Sequence, residues 1–497
     1  MPSDVVDMME SRREKLEDVS DPGISVAAVL SWLASVRFYN LWRLLFPWPS
    51  KSSNIAPEKL RPTAYLDGLR GFAAFLVYWH HHQLWAHSDL QKIFIESGWG
   101  YLGKYHFMSF PFVRIFFQGG HFAVGTFFVI SGYVLSAKPM SLIHAGEQAK
   151  IADNLGSALF RRWLRLYIPI FATTWIHMTV SYASGMWLGS LTFNLKTTYL
   201  AQMWDWYCQL KNFSFLFFEG SRPSLSYNFH LWSIPIEMKG SIIIYAALLA
   251  LAKCTKHARL WLQGILIFYF LYIVDGWYCA LFMAGMLLND LELLETKGEL
   301  PEFFDRFRPF KTIIFYHLFV FALYLGGVPA HRVEVEDLRQ NPGWYYLSFF
   351  KSQSIYDSKW FFLFFAAAFL VASVNHIGWL KRFFETSFCQ YLGRISFALY
   401  LVHGPILETL GDRIYTAVGW HTKLQEENLA HWVDIWELPK TGPMGLELSF
   451  LLPHIVLLPV TFYAAEVVTR AFDEPSVRFP QWLYKSTTRA PAARLPA

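Results

Sequence analysis

The chain has 497 residues, of which 54% are hydrophobic, 19% aromatic and only 16% charged. This composition is too apolar for a water-soluble protein of such length and predicts a polytopic membrane protein. The net charge of +5 is spread along the chain without a basic block, which excludes nucleic acid as a partner. The four cysteines are scattered without metal-ligand spacing, so they predict neither a zinc site nor a disulfide framework.

The first 61 residues are predicted to form a cytosolic N-terminal lead. Residues 1–22 are polar, carry charges of both signs and lack the features of a secretory signal peptide. Residues 25–47 are apolar, contain two arginines and stop at a Pro-Trp-Pro sequence. This pattern predicts either an amphipathic helix on the membrane surface or an additional span.

The remaining apolar segments predict an all-α fold, a polytopic bundle of about ten transmembrane helices. They are residues 66–84, 121–137, 166–185, 231–252, 260–274, 276–290, 312–328, 360–380, 391–410 and 447–469. Basic residues concentrate in the loops on one side, which the positive-inside rule makes cytosolic together with both termini. We therefore expect one membrane domain over 62–472 and a cytosolic tail over 473–497. The internal spans direct the chain to a membrane, for which we expect the endoplasmic reticulum or another endomembrane.

The first of these spans contains an arginine and ends in three histidines, within the sequence Tyr65-Leu-Asp-Gly-Leu-Arg-Gly-Phe-Ala-Ala-Phe-Leu-Val-Tyr-Trp-His-His-His. In a helix, Arg70 and His81 lie three turns plus about 20° apart, on one face and about 16 Å along the axis. A lipid-facing arginine costs at least about 2.5 kcal/mol, which favours a functional position facing protein or water. Alternatively, Arg70 extends to the membrane surface and the histidines end the helix. Asp67 lies one turn before Arg70.

Histidine is the side chain best suited to accept a proton near neutral pH. Of the three histidines, only His81 shares the face of Arg70, because each neighbour is rotated by about 100°. Adjacent helical residues point apart, so the triplet predicts no metal site.

Four other segments place polar residues in or beside predicted spans. Ser131-Gly132 lies in a run of small residues that favours close helix packing; the alternatives are a kink or a close approach of the backbone to a ligand. Arg161, Arg162 and Arg165 enter a span from the cytosol; they either anchor it or bind an anionic, phosphate-bearing ligand. Further along, the segment His230-Leu-Trp232-Ser-Ile-Pro-Ile-Glu237 places a carboxylate in a span, where we expect it to meet an arginine or histidine of another helix. His403 lies in an apolar helix and is either a packing residue or a functional one.

Together, these segments resemble the acyltransferase-3 family of integral membrane O-acyltransferases, in its fungal-type branch. The resemblance covers about residues 62–470, and its motifs follow the order found in the family. They are Leu66-Asp-Gly-Leu-Arg-Gly with His81, Phe127-Phe-Val-Ile-Ser-Gly-Tyr, Arg161-Arg-x-x-Arg-Leu-Tyr-x-Pro169, His230-Leu-Trp-Ser-Ile-x-x-Glu237 and Leu392-Gly-Arg-Ile-Ser-x-x-Leu-Tyr-x-Val-His-Gly404. The sequence departs from many members at residues 123–127, where no acidic residue precedes the Phe-Phe pair. Pro235 is also expected to kink its helix and shift Glu237.

The resemblance implies transfer of an acyl group from an acyl-CoA, most commonly acetyl-CoA, to a hydroxyl of a small molecule, saccharide or lipid. For a fungal-type member, it implies a place in secondary metabolism. It implies His81 as the general base and Arg70 in donor binding or orientation. The three arginines would bind the donor, while Asp67, Glu237, Ser131, Trp232 and His403 would support the site. No permanently bound cofactor or metal is expected, and the partners are acyl-CoA, the acceptor and membrane lipids.

Two alternatives remain open at the level of sequence. A transporter or flippase would use Arg70, Glu237 and the histidines as a substrate or proton path. An inactive member of the family would only bind a lipid or a partner. The acceptor is not defined either: tryptophans in the predicted lumenal loops 186–229 and 411–446 suit a sugar or a flat ring, but they also suit the membrane interface.

Overall fold

The computed structural model describes residues 60–87, 89–189, 194–217 and 224–488. Within these ranges the chain is helical and contains no β-strand. The longer helices, named α1 to α12 here, are Ala64–Ala86, Gly120–His144, Gln148–Ser184, Tyr199–Ser214, Ser233–Leu251, Lys256–Phe268, Trp277–Lys297, Lys311–Leu325, Ser358–Val374, Ser387–Ile406, His454–Val468 and Glu474–Thr487. The predicted surface helix over 25–47 lies outside the described residues.

Short helical segments connect these elements. The α-helical ones are Asp89–Glu96, Ile115–Gln118, Glu302–Asp305, Val335–Arg339, Gly378–Phe384, Asp412–Ala417, Lys423–Asn428 and Leu448–Leu451. The 3₁₀ segments are Tyr101–Gly103, Phe107–Ser109, Ser226–Trp232, Arg308–Phe310 and Leu347–Phe350. Three π-helical turns, Tyr269–Ile273, Leu407–Gly411 and Thr469–Asp473, directly follow α6, α10 and α11.

Helices α1 and α10 form one of the two most extensive helix pairs. Glycines allow this contact, because a Cβ on Gly71 would lie 2.2 Å from the backbone nitrogen of Gly393. A Cβ on Gly393 would likewise lie 2.5 Å from the carbonyl oxygen of Asp67. The two backbones therefore touch at the Leu-Asp-Gly-Leu-Arg-Gly motif, which fixes the faces that α1 and α10 present to each other.

The other extensive pair is α2 with α7, and it also depends on glycine. A Cβ on Gly132 would lie 2.0 Å from the carbonyl oxygen of Phe282, and one on Gly285 would lie 2.0 Å from that of Val129. The expected close packing at Ser131-Gly132 is thus confirmed. Helix α2 continues through this position without a break, so Gly132 serves contact between helices and not a kink.

Each of the ten predicted spans coincides with helix, but ten membrane crossings are not confirmed. Among the described residues, four helical stretches are long and apolar enough to cross a membrane, namely Gly120–His144, Ser226–Leu251, Trp277–Lys297 and Leu448–Thr487. A fifth is possible if Ser358–Val374 and Gly378–Phe384 form one span, although the two are bent by 96°. Helices α6 and α8 have 13 and 15 residues, fewer than the roughly 20 that cross the hydrocarbon core.

Candidate active site

Arg70 is held on the face of α1 that contacts α10. Its Nε donates to the Ser396 hydroxyl at 3.1 Å, and its Nη2 donates to the Gly393 carbonyl at 3.1 Å. Asp67 lies one turn earlier, with its carboxylate 3.3 Å from the Arg70 guanidinium and 2.9 Å from that of Arg61. Arg70 remains 37% exposed, so the guanidinium is oriented by α10 while part of it stays accessible to a ligand.

Arg70 forms part of a larger charged cluster at this end of α1. Asp473, in the π-turn after α11, lies within electrostatic range of both Arg70 and Arg165. Arg165 in turn interacts with Arg162, Arg70 and Glu237. Of the three predicted donor-binding arginines, Arg165 therefore interacts with Arg70, and Arg162 is linked to this cluster through Arg165. Asp473 adds a carboxylate that the sequence does not predict. Arg161 does not join them through its Nε, which donates to the Ser157 carbonyl of its own helix at 2.9 Å.

Glu237 is paired with an arginine of another helix, as expected. Its carboxylate accepts a short hydrogen bond from Arg162 and another from the Ser131 hydroxyl at 2.7 Å. Arg162 also donates to the Ser241 hydroxyl at 2.9 Å. Pro235 lies in the first turn of α5, where no backbone hydrogen bond is lost, so the expected kink does not occur. The Ser131 hydroxyl thus helps to hold the Glu237 carboxylate in place.

We expect that removing either partner of the Arg162–Glu237 pair lowers stability. The side chains are 11% and 13% exposed, so the remaining charge would be largely buried without its partner, at a cost of roughly 3 kcal/mol. Arg162→Met should reduce the thermal unfolding midpoint of the purified protein in detergent, while Arg162→Met combined with Glu237→Met should recover more than half of that loss. A double variant that loses as much as the two single variants added together would contradict the pairing.

At the other end of α1, His81 meets two histidines from distant parts of the chain. Its ring centroid lies 4.3 Å from that of His230. It also lies 5.2 Å from that of His403, and the rings of His81 and His403 are stacked at an interplanar angle of 11°. The rings of His230 and His403 are 4.9 Å apart. One nitrogen from each of the three rings lies within 4.8 Å of the other two. We call these residues the histidine trio. His81 and Arg70 both face α10, which confirms that they share one face of α1.

The sequence His403-Gly404-Pro405 allows the 3₁₀ segment that carries His230 to pack closely against α10. Pro405 has no backbone N–H, which frees the Leu401 carbonyl of its own helix. The Asn228 amide donates to this carbonyl at 2.9 Å. A Cβ on Gly404 would lie 2.3 Å from Nδ1 of His230, so only glycine allows this approach. The trio thus depends on a small residue and a proline that follow His403.

Glu408 lies beside the trio, in the π-turn that continues α10. It is fully buried, and neither carboxylate oxygen has a hydrogen-bond partner among the described residues. Its oxygens lie 3.9 Å from Nδ1 of His230 and 4.0 Å from Nε2 of His177. A buried carboxylate in such a place requires compensating positive charge or a proton.

A cavity of about 480 Å³ opens where α1 ends. Trp85 lines it, one helical turn beyond His81, together with the buried ring of Trp420. Lys440 contributes a positive charge to the lining and lies 5.3 Å from the centre of the Trp420 ring. The volume is in the range of small-molecule sites.

A second polar group forms around His80, whose ring centroid lies 5.3 Å from that of His81. His80, Glu96 and His121 place one ligand-type atom each within 4.8 Å of the other two. Burial raises the pKa of Glu96 to about 7, and the positive charge of Lys359 opposes this shift. This group includes His80, one of the two neighbours of His81 that do not share the face of Arg70.

The sequence predicts roles for His81 and His403 but none for His230 and Glu408. His230 begins one of the motifs shared with the family. The two polar residues Asn228 and His230 directly precede a predicted span, and this pattern could have indicated a functional position. Trp232, which is predicted to support the site, packs edge-to-face against Trp360 in the apolar core, with ring centroids 6.0 Å apart.

The fold and the site together define a class: an all-helical membrane protein with a charged cluster and a histidine cluster at opposite ends of one helix. A family described as "Acyltransferase domain" matches residues 63–452. The chain belongs to this family, acyltransferase 3, and is an acyltransferase with helices apolar enough to lie in a membrane.

Three curated fungal proteins are similar over most of their length. O-acetyltransferase PaAT-1 of Phomopsis amygdali is 29% identical over 89% of this chain and 88% of its own. Acyltransferase clz18 of Cochliobolus lunatus is 22% identical over 87% of this chain and 98% of its own. Acyltransferase R4 of a Phoma species is 22% identical over 72% of this chain and 86% of its own. No solved structure matches the chain.

Proposed function

We propose that this protein is a membrane-embedded O-acyltransferase that moves an acetyl group from acetyl-CoA to a hydroxyl of a small-molecule acceptor. The observation that carries the proposal is the arrangement of α1, which holds an accessible arginine at one end and the histidine trio at the other. Similarity to PaAT-1, named an O-acetyltransferase, supports acetyl as the acyl group.

In this proposal the donor enters from the cytosol at the Arg70 end. Arg70 and Arg165 are available for the phosphates of CoA, because guanidinium groups bind phosphate in a bidentate manner. Arg162 is engaged by Glu237 and would act by orienting its neighbours. From Arg70 the thioester must reach about 16 Å along α1 to approach His81. The extended pantetheine arm of CoA suits this distance.

The acceptor enters at the opposite end, through the cavity beside Trp85. His81 takes the proton of the acceptor hydroxyl, and the oxygen attacks the thioester carbonyl. A C–O bond forms and the C–S bond breaks, and the CoA thiolate leaves and accepts the proton from His81. This assignment requires a neutral imidazole with a free lone pair, which a site shielded from water favours.

A comparison of metabolites tests the proposal as a whole. Extracts from cells that carry the intact gene should contain a compound heavier by one acetyl group than its counterpart in cells with Arg70→Ala. Membranes containing the protein should then convert that counterpart with acetyl-CoA and release one CoA per product. Transport of the compound into sealed vesicles without CoA release would instead support a transporter.

Loss of the Trp85 ring should weaken binding of the acceptor more than it slows the chemical step. We expect Trp85→Ala to raise the KM for the acceptor about tenfold, equivalent to about 1.4 kcal/mol, while kcat falls less. Trp85→Phe should recover part of the loss. Trp204→Ala is the matched control, because that ring is 67% exposed and does not line the cavity. Equal effects of Trp85→Ala and Trp204→Ala would place the acceptor elsewhere.

A further inference from the structure

We infer that the histidine trio, His81, His230 and His403, is a binding site for a divalent metal ion of the zinc type, and that the bound ion inhibits acyl transfer. The metal site stands on its own geometry, whereas the inhibition rests on the proposed function of His81. The three ligands come from α1, from the 3₁₀ segment before α5 and from the end of α10.

The donor atoms are close enough for one ion. One nitrogen of each imidazole lies within 4.8 Å of the other two. Zinc binds histidine nitrogen at about 2.0–2.1 Å, which in a tetrahedral site separates the nitrogens by about 3.3 Å. Each nitrogen would therefore move by less than about 1 Å to reach the ion. Three adjacent histidines of one helix point apart and cannot share an ion, whereas this site takes only one of them.

Two ring nitrogens of the trio have no hydrogen-bond partner among the described residues. Nδ1 of His403 lies 2.9 Å from the Tyr400 carbonyl and must donate its hydrogen there, so Nε2 carries the lone pair. Nε2 of His403 and Nδ1 of His230 are buried and have no hydrogen-bond partner among the described residues. Such a backbone contact to the second ring nitrogen is typical of metal-binding histidines, since it fixes the tautomer and the ring orientation.

The charge around the trio also suits a cation. Glu408 is buried without a hydrogen-bond partner in the described part of the chain, 3.9 Å from His230. An outer carboxylate of this kind would offset the charge of a bound ion. The second group, His80, Glu96 and His121, is less suitable, because the positive charge of Lys359 acts on Glu96.

Metal binding and proton transfer would both require the free lone pair of the His81 imidazole. The lone pair with which His81 takes the hydroxyl proton is the pair with which it would bind the ion. A protein with the ion bound therefore has no free base. Three protein ligands also leave a fourth position open, so the site resembles an accessible zinc site more than a closed structural one.

Metal binding to the full-length protein in detergent provides the direct test. After removal of metal with a chelator, the protein should bind one equivalent of Zn²⁺, and Co²⁺ should give the visible absorption of a tetrahedral complex. His403→Gln should weaken Zn²⁺ binding by more than about 100-fold, since loss of an outer partner alone costs 10–100-fold. His82→Asn and His121→Gln are controls that should keep the affinity, and size-exclusion chromatography reports whether each variant folds.

The inhibition is tested with the acceptor found by metabolite comparison. Acetyl transfer should fall with Zn²⁺ at the concentration that half-fills the site, and a chelator should restore it. Zinc binding that is absent, or unchanged in His403→Gln, overturns the metal site while leaving acyl transfer intact. Full activity at full occupancy overturns the inhibition. Zinc binding in a protein that never transfers an acetyl group overturns the proposed function and keeps the metal site.

Discussion

Replacement of His81 by glutamine should reduce kcat/KM for acetyl transfer by at least about 100-fold. A positioned general base contributes about 10²–10⁴-fold to such a reaction, and glutamine cannot accept the hydroxyl proton at neutral pH. The change keeps a polar side chain of similar size against His230 and His403. The rate of CoA release in the presence of acceptor measures the effect, with protein quantity and thermal unfolding recorded for each variant.

His82 offers a matched control on the same helix. Its Nδ1 lies 2.8 Å from the Tyr415 hydroxyl, away from the histidine trio, and an asparagine amide can occupy the position of that nitrogen. His82→Asn should therefore retain most of the activity. Equal activity of His81→Gln and the native protein would remove His81 from the chemistry, whatever the result for His82→Asn.

The sequence was sufficient to predict features that depend on local periodicity. The apolar segments 66–84 and 121–137 lie within α1 and α2, and the eleven-residue spacing placed Arg70 and His81 on one face. The contacts of both residues with α10 confirm this spacing argument. An unpaired carboxylate in a membrane helix is costly, which also predicts that Glu237 pairs with an arginine or a histidine of another helix. The partner is Arg162.

Features that depend on contacts between segments far apart in the sequence could not be predicted from local periodicity. Glu408 lies in a π-turn, an irregularity that hydrophobic periodicity does not reveal. His230 reaches the trio because Pro405 frees a carbonyl on another helix for Asn228. The number of membrane crossings is equally hard to derive, because breaks such as the 96° bend after Ser358–Val374 interrupt segments whose composition is continuous.

Gly71→Ala should disrupt both folding and activity, although alanine normally stabilises a helix by up to about 1 kcal/mol relative to glycine. The added Cβ would lie 2.2 Å from the backbone nitrogen of Gly393, and a backbone atom cannot move aside as a flexible side chain can. Helix α1 would have to shift away from α10. We expect a loss of about 3 kcal/mol in stability, seen as a lower thermal unfolding midpoint in detergent.

The same displacement should affect both ends of the site, because α10 carries the Ser396 that orients Arg70 and the His403 that stacks on His81. Protein that still folds with Gly71→Ala should therefore lose acetyl transfer and Zn²⁺ binding together. Gly156→Ala in α3 is the matched control, because no atom lies within 4 Å of the added Cβ. Gly156→Ala should leave acetyl transfer and Zn²⁺ binding intact, and it should keep or slightly raise the thermal unfolding midpoint. If Gly71→Ala matched this control, close contact between α1 and α10 could not be what aligns the arginine and histidine clusters.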